Sequence, residues 1–114
     1  VREVMGEVIG YDAYGFGTTD KLIDVAWGGR TPEMLDPVVA SMGSYVGETL
    51  RRAFGGRWVF SDEHGPYLTG LGGTESTVFP FVKTRQRLEL GRRHALAGYY
   101  ESVLTTVSAR RDSR

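Results

Sequence analysis

Between Thr31-Pro32 and Gly55-Gly56 the chain carries its longest apolar periodicity, with Leu35, Val38, Val39, Met42, Val46, Thr49, Leu50, Ala53 and Phe54 recurring at three-and-four spacing. That spacing lines them along one stripe of a single α-helix, and the remaining residues must fold around it. Thr31 as cap, Pro32 at the first helical position and Glu33 in the first turn are expected to start it, and the Gly55-Gly56 pair to stop it. Pro37, about one turn in, is still accommodated near a helix start. Gly43 and Gly47 fall i, i+4 on one face, and each costs up to ~1 kcal/mol relative to Ala inside a helix. A second element approaching the face that lacks side chains would compensate, and a ligand using the same access is the alternative.

Glycine makes up 16 of the 114 residues and clusters at the ends of the other elements as well. Thr18, Thr19 and Asp20 offer caps for a short helix through Leu22, Ile23, Val25, Ala26 and Trp27, stopped by Gly28-Gly29. After the long helix, Arg57–Phe60 and Tyr67–Leu71 read as strands joined by a turn over 61–66, and Thr77–Phe79 as a third strand after a second turn. Pro80 opens a helix through Leu90 with a narrow apolar stripe, which predicts a mostly exposed element. A last helix is expected over about His94–Val107. The fold class is α+β: a small three-stranded antiparallel meander packed against helices, in the order α-α-β-β-β-α-α. Its size suits one domain over 18–107, preceded by an irregular aromatic and glycine-rich arm over 1–17 and followed by a frayed basic tail over 108–114.

Composition excludes several function classes. Lys plus Arg and Asp plus Glu are 14 each, so no whole-chain field favours nucleic acid or an anionic membrane. The absence of cysteine excludes disulfides, thiolate metal clusters and a cysteine nucleophile. No apolar run approaches the roughly 18 to 20 residues of a membrane span, and VREVMGEVIG lacks the basic head and apolar run of a signal peptide. A cytoplasmic protein with no membrane partner is expected.

The candidate chemistry is local. Lys83–Arg93 holds five cations and one anion, so Lys83, Arg85 and Arg87 are expected along an exposed helix side able to meet phosphates, carboxylates or an acidic protein surface. No interleaved aromatic platform or helix-turn-helix pattern accompanies them, so nucleic acid is not the expected partner. Glu48 and Arg52 form an i, i+4 pair, with Arg51 beside them, which reads first as a surface ion pair. The alternative makes Glu48 an acid/base, with Tyr45, Arg51 or Arg87 holding an anionic metabolite and Trp58 as a wall. His64 and His94 stand apart from metal-ligand spacing, and Asp62-Glu63-His64 reads as an ordinary acidic turn. The GFGTTDK stretch fails the phosphate-loop and dinucleotide patterns, so no cofactor or metal is expected.

The stretch MGSYVGETLRRAFGGRWV, followed by FPFVKTRQRLELG and ALAGYYESVL, resembles an uncharacterised bacterial domain family with a GAYLGEVLRR, then GRW, PF, KRL and G signature. The positions that carry the resemblance are Gly43, Tyr45, Gly47, Glu48, Arg57, Trp58, Pro80, Phe81, Arg87, Leu88 and Gly91. It implies a small α+β fold and no reaction. The expectation is therefore a non-enzymatic interaction module of a bacterial cytoplasm, binding a protein partner or its own copy. The Gly43/Gly47 face, the basic segment and the arm are its candidate contacts. Tyr11, Tyr14 and Phe16 suit exchange of the arm in a homodimer joined through residues 1–17, and also suit simple packing onto the core.

Overall fold

The computed structural model describes residues 9–63 and 65–113. The described elements run α1 (Ala13–Trp27), α2 (Leu35–Phe54), β1 (Arg57–Ser61), β2 (Gly65–Leu71), β3 (Ser76–Val78), α3 (Pro80–Leu90), a 3-10 turn (Arg92–His94) and α4 (Leu96–Asp112). This is the expected α+β order, with one antiparallel sheet in the order β1-β2-β3.

Helix α2 starts three residues later than its apparent cap suggests, and Pro37 sets the point. A proline ring clashes with the carbonyl four residues earlier when that residue is helical. Residue 33 therefore stays outside, Leu35 becomes the first helical residue, and Pro32 is buried in the preceding turn. The helix ends at Phe54 with the Gly55 N–H donating to the Arg51 carbonyl, as the glycine pair predicts.

The two small residues of α2 are close-packing sites. Phe81 of α3 lies against Gly43, and the Trp58 ring of β1 with Pro80 lies against Gly47, each where a Cβ would otherwise stand. Trp58 and Phe81 also meet each other, centroids 6.2 Å apart. Strand, helix and helix are thus locked at one seam, and the loss of helix propensity is offset by aromatic burial.

Three expectations are corrected. Residues 13–17 are not an irregular arm: α1 begins at Ala13, because Asp12 is a working N-cap whose Oδ1 accepts from Gly15 N at 2.8 Å. Phe16 is fully buried, edge-on to Tyr45 and Tyr100 of the same chain at 5.9 and 5.6 Å, and Tyr11 lies tilted against Tyr45 at 5.7 Å. Residues 1–8 of the predicted arm lie outside the described residues. Helix α3 is not mostly exposed, since Pro80, Thr84, Arg87 and Leu88 are buried along one stripe. Thr84 satisfies its hydroxyl on the Pro80 carbonyl at 2.8 Å, and Arg87 is neutralised by acids of α1, so two polar side chains extend a stripe that looked narrow. The 108–112 stretch continues α4 rather than fraying.

Candidate functional site

Three places gather the side chains with chemistry. At the first, on α2, Glu48 is gripped by its own helix: Arg51 Nε and Nη2 donate to its two oxygens at 2.6 and 2.8 Å, and Arg52 Nε reaches it at 3.4 Å. The favoured pair is thus the bidentate i, i+3 one, with the expected i, i+4 contact secondary. The hydrogen bonds from Arg51 hold the Glu48 carboxyl at about 2 against the opposing push of burial, and the charges of Arg51 and Arg52 add to the lowering. Arg52 in turn lies over the Tyr11 ring, 3.7 Å from its centroid. Tyr45, expected as a ligand contact, is fully buried and donates its hydroxyl to the Gly10 carbonyl at 2.6 Å. Its burial raises the phenol above its ordinary range. This group ties the segment before α1 to α2.

The second place joins α1, α3 and α4. Asp20 and Asp24 sit one turn apart on α1. Arg87 is only 3% exposed and donates from Nε to Asp20 Oδ1 at 2.9 Å and from Nη2 to Asp24 Oδ1 at 3.0 Å and the Asp20 carbonyl at 3.2 Å. Arg92 takes the other Asp24 oxygen at 2.6 Å. Asp20 also accepts from the backbone of Leu96 at 2.9 Å and Ala97 at 3.0 Å, the first two residues of α4. Ala95, at the cap position, has no acceptor of its own, so Asp20 caps α4 from another helix. A hollow of about 260 Å³ adjoins this cluster, lined by Ile23, Trp27, Arg87 and Arg92 among others. Both α1 and α3 end at its rim, at Gly28 and Gly91, so their negative dipole ends and the two aspartates face the arginines. The cations expected to wait for an anionic ligand already have partners here.

The remaining predicted residues are dispersed. Arg85 pairs with Asp36 at 2.6 Å, and Lys83 lies 5.4 Å over the Tyr99 ring with Nζ 3.3 Å from His94 Nδ1. Burial lowers Lys83 and His94, and pushes the Tyr99 phenol up to about 12. Trp58 belongs to the Gly47 seam. Glu48, Trp58 and Arg87 thus have separate partners rather than one shared pocket. His64 lies outside the described residues, and among those described no three of His, Cys, Asp or Glu are grouped to hold a metal ion.

The third place was not singled out from the sequence. β1 is an edge strand, and Phe60 on it is 80% exposed. Its register partner Pro66 lines a hollow of about 340 Å³ with Val39, Ala40, Phe81 and Val82, rimmed by the Asp36–Arg85 pair. Among the described residues a backbone edge without a strand partner thus adjoins an exposed ring and an apolar depression. The signal available in the sequence was Phe60 itself, a large apolar residue beside the acidic Ser61-Asp62-Glu63 turn.

Compared with protein-family models, curated proteins and solved structures, the chain matches none. The resemblance to a bacterial domain family accordingly carries no assignment.

Proposed function

We propose that this protein is a non-enzymatic interaction module whose contact face is the outer edge of β1 with the adjoining Pro66–Val82 hollow. The observation that carries the reading is a strand edge on which no other described strand lies, bearing a solvent-exposed Phe60 next to an apolar depression. Strand addition uses such a combination: main-chain hydrogen bonds supply affinity, and a neighbouring pocket takes a side chain of the incoming segment. The fitting partner chemistry is an extended polypeptide with an apolar side chain for the hollow.

The competing reading makes Glu48 an acid/base on an anionic metabolite. A general base works best with a pKa near the operating pH, and Arg51 holds Glu48 at about 2. Its conjugate acid is essentially absent at neutral pH, and as a base it is weak and already bonded on both oxygens.

The test is selection of random 12-residue peptides displayed on phage against the protein. Enriched peptides are expected to shift the amide resonances of Trp58 and Phe60 and the methyls of Val82. Shifts centred on Trp27 and Arg92, or no binder at millimolar peptide, would overturn the reading.

A further inference from the structure

We infer that the edge of β1 pairs with the β1 edge of a second copy of this chain, antiparallel and two-fold about Val59. The inference rests on the strand-docking reading above and names its partner.

Hydrogen-bond parity selects the register. β1 and β2 pair as Arg57↔Thr69, Val59↔Tyr67 and Ser61↔Gly65, with Trp58↔Leu68 and Phe60↔Pro66 in between. Pro66 has no N–H, so the Phe60–Pro66 pair cannot exchange both ladder bonds. Alternation along an antiparallel ladder then gives the bonded pairs to Arg57, Val59 and Ser61. The N–H and C=O of Trp58 and Phe60 consequently point away from β2, toward the side on which no described strand lies. Two outward residues flanking one inward residue are self-complementary. With two copies antiparallel about Val59, Trp58 of each exchanges both bonds with Phe60 of the other, and the two Val59 residues form the unbonded pair on the axis.

The side chains agree with the backbone. Trp58 and Phe60 share the helix-side face of the sheet, where Trp58 is seated on Gly47 and Phe60 is open. The pairing sets each Phe60 directly across from the Trp58 of the other copy, covering the exposed ring with an aromatic cross-strand neighbour.

Charge fixes the direction. β1 leaves the cationic end of α2, where Arg51 and Arg52 precede exposed Arg57, and runs into exposed Asp62 and Glu63 of the turn. Antiparallel apposition lays the basic start of each strand beside the acidic turn of the other. Parallel apposition would put like charges together at both ends. A second copy supplies the matching alternation and charge polarity. The five-residue edge makes this a small interface, hence a reversible dimer forming at micromolar to millimolar concentration.

Because the chain has no cysteine, Val59→Cys places a single thiol on the proposed axis. An unbonded antiparallel pair sets the Cα atoms about 4.5 Å apart, inside the range a disulfide bridges. At about 0.2 mM protein in a glutathione redox buffer, Val59→Cys is expected to form disulfide dimer roughly tenfold faster than Val25→Cys, an 85% exposed control on α1. In the Val59→Cys background, Asp62→Lys should slow the reaction, and adding Arg57→Asp should restore it. Equal rates for the two cysteine variants, or no restoration by the charge swap, would overturn the inference. Sedimentation equilibrium of the unaltered protein from about 0.02 to 1 mM gives a check free of any folding effect of the cysteine. Mass should rise toward a dimer, whereas Phe60→Lys should stay monomeric. A monomer throughout overturns self-pairing. If selected peptides still shift Trp58 and Phe60 in that case, strand docking stands with a foreign partner; if they do not, both readings fall.

Discussion

Removing the Asp20 carboxylate tests the internal ion cluster most directly, because one side chain serves two elements. In Asp20→Ala, Arg87 loses its 2.9 Å partner while 3% exposed, and the first two N–H groups of α4 lose their acceptor. Taking one member from a buried pair costs about 3–5 kcal/mol, because a charge is left uncompensated. Asp24 still accepts from Arg87 at 3.0 Å, which places the ion-pair loss at the lower end of that range. Losing a helix cap costs a further ~1 kcal/mol. The two effects share one carboxylate and are not strictly additive, so about 3–4 kcal/mol is expected. For a domain near 100 residues this corresponds to roughly 12–30 °C in Tm. The assay is urea unfolding followed by far-ultraviolet circular dichroism, with midpoints compared at unchanged m-value. Asp20→Ala combined with Arg87→Met should lose less than the sum of the single changes by more than about 1 kcal/mol, since no buried charge remains to be stranded. A loss below ~1 kcal/mol for Asp20→Ala, or simple additivity in the double variant, would refute the argument.

Two further outcomes follow from α2. The Glu48 carboxyl is depressed to about 2 from an ordinary 4.5, so its contribution to stability is complete above about 4.5 and is lost as pH falls toward about 2. Arg51 is 41% exposed and screened by solvent, so the contribution is on the order of 1 kcal/mol. The urea midpoint should therefore fall across that window, and Glu48→Gln should flatten part of the fall. The remainder belongs in part to Asp24, which hydrogen bonds from Arg92 and then Arg87 also hold below the ordinary range. An unchanged pH profile in Glu48→Gln would contradict the assignment. Gly47→Ala gains about 1 kcal/mol of helix propensity yet drives a methyl into the Trp58 ring at a cost of about 1–3 kcal/mol, so a net loss of up to about 2 kcal/mol is expected in thermal melts. A stabilised Gly47→Ala protein would show that the ring moves aside freely.

The elements that were legible in the sequence are those whose signals are local. The stripe of α2, the glycine pair after it and the turn residues between strands each act within a few positions, and the strand spans agree with the structure to within about two residues. What failed was decided by residues distant in sequence. Arg87 reads as an exposed cation beside Lys83, and only the return of α1 brings Asp20 and Asp24 to it across more than 60 positions. Phe16 reads as part of a loose arm because its partners, Tyr45 and Tyr100, arrive from α2 and α4. The cap of α1 is a local signal of another kind: Asp12 accepts from Gly15 three residues on, whereas Thr18, Thr19 and Asp20 are the expected caps. The i, i+4 spacing of Asp20 and Asp24 beside buried Ile23 was readable too, and an acidic pair flanking a core stripe asks for a buried cation.

The same pairing reduces the cationic face that a segment of charge +4 would otherwise present in a neutral chain. Arg85, Arg87 and Arg92 of that segment meet Asp36, Asp24 and Asp20, all from the first third of the chain. Most of the excess of one half is offset by acids of the other across the α1–α3 and α2–α3 contacts, so the charge asymmetry of the sequence helps assemble the helices. At Arg87 a phosphate would have to displace a carboxylate already within about 3 Å. What the fold leaves open is of another kind: a hydrogen-bonding edge at Trp58 and Phe60, with an exposed ring and opposite charges at its two ends. Those features favour a strand over a soluble anion, because an anion would gain from Arg57 alone, whereas an antiparallel strand engages backbone, ring and both charged ends together.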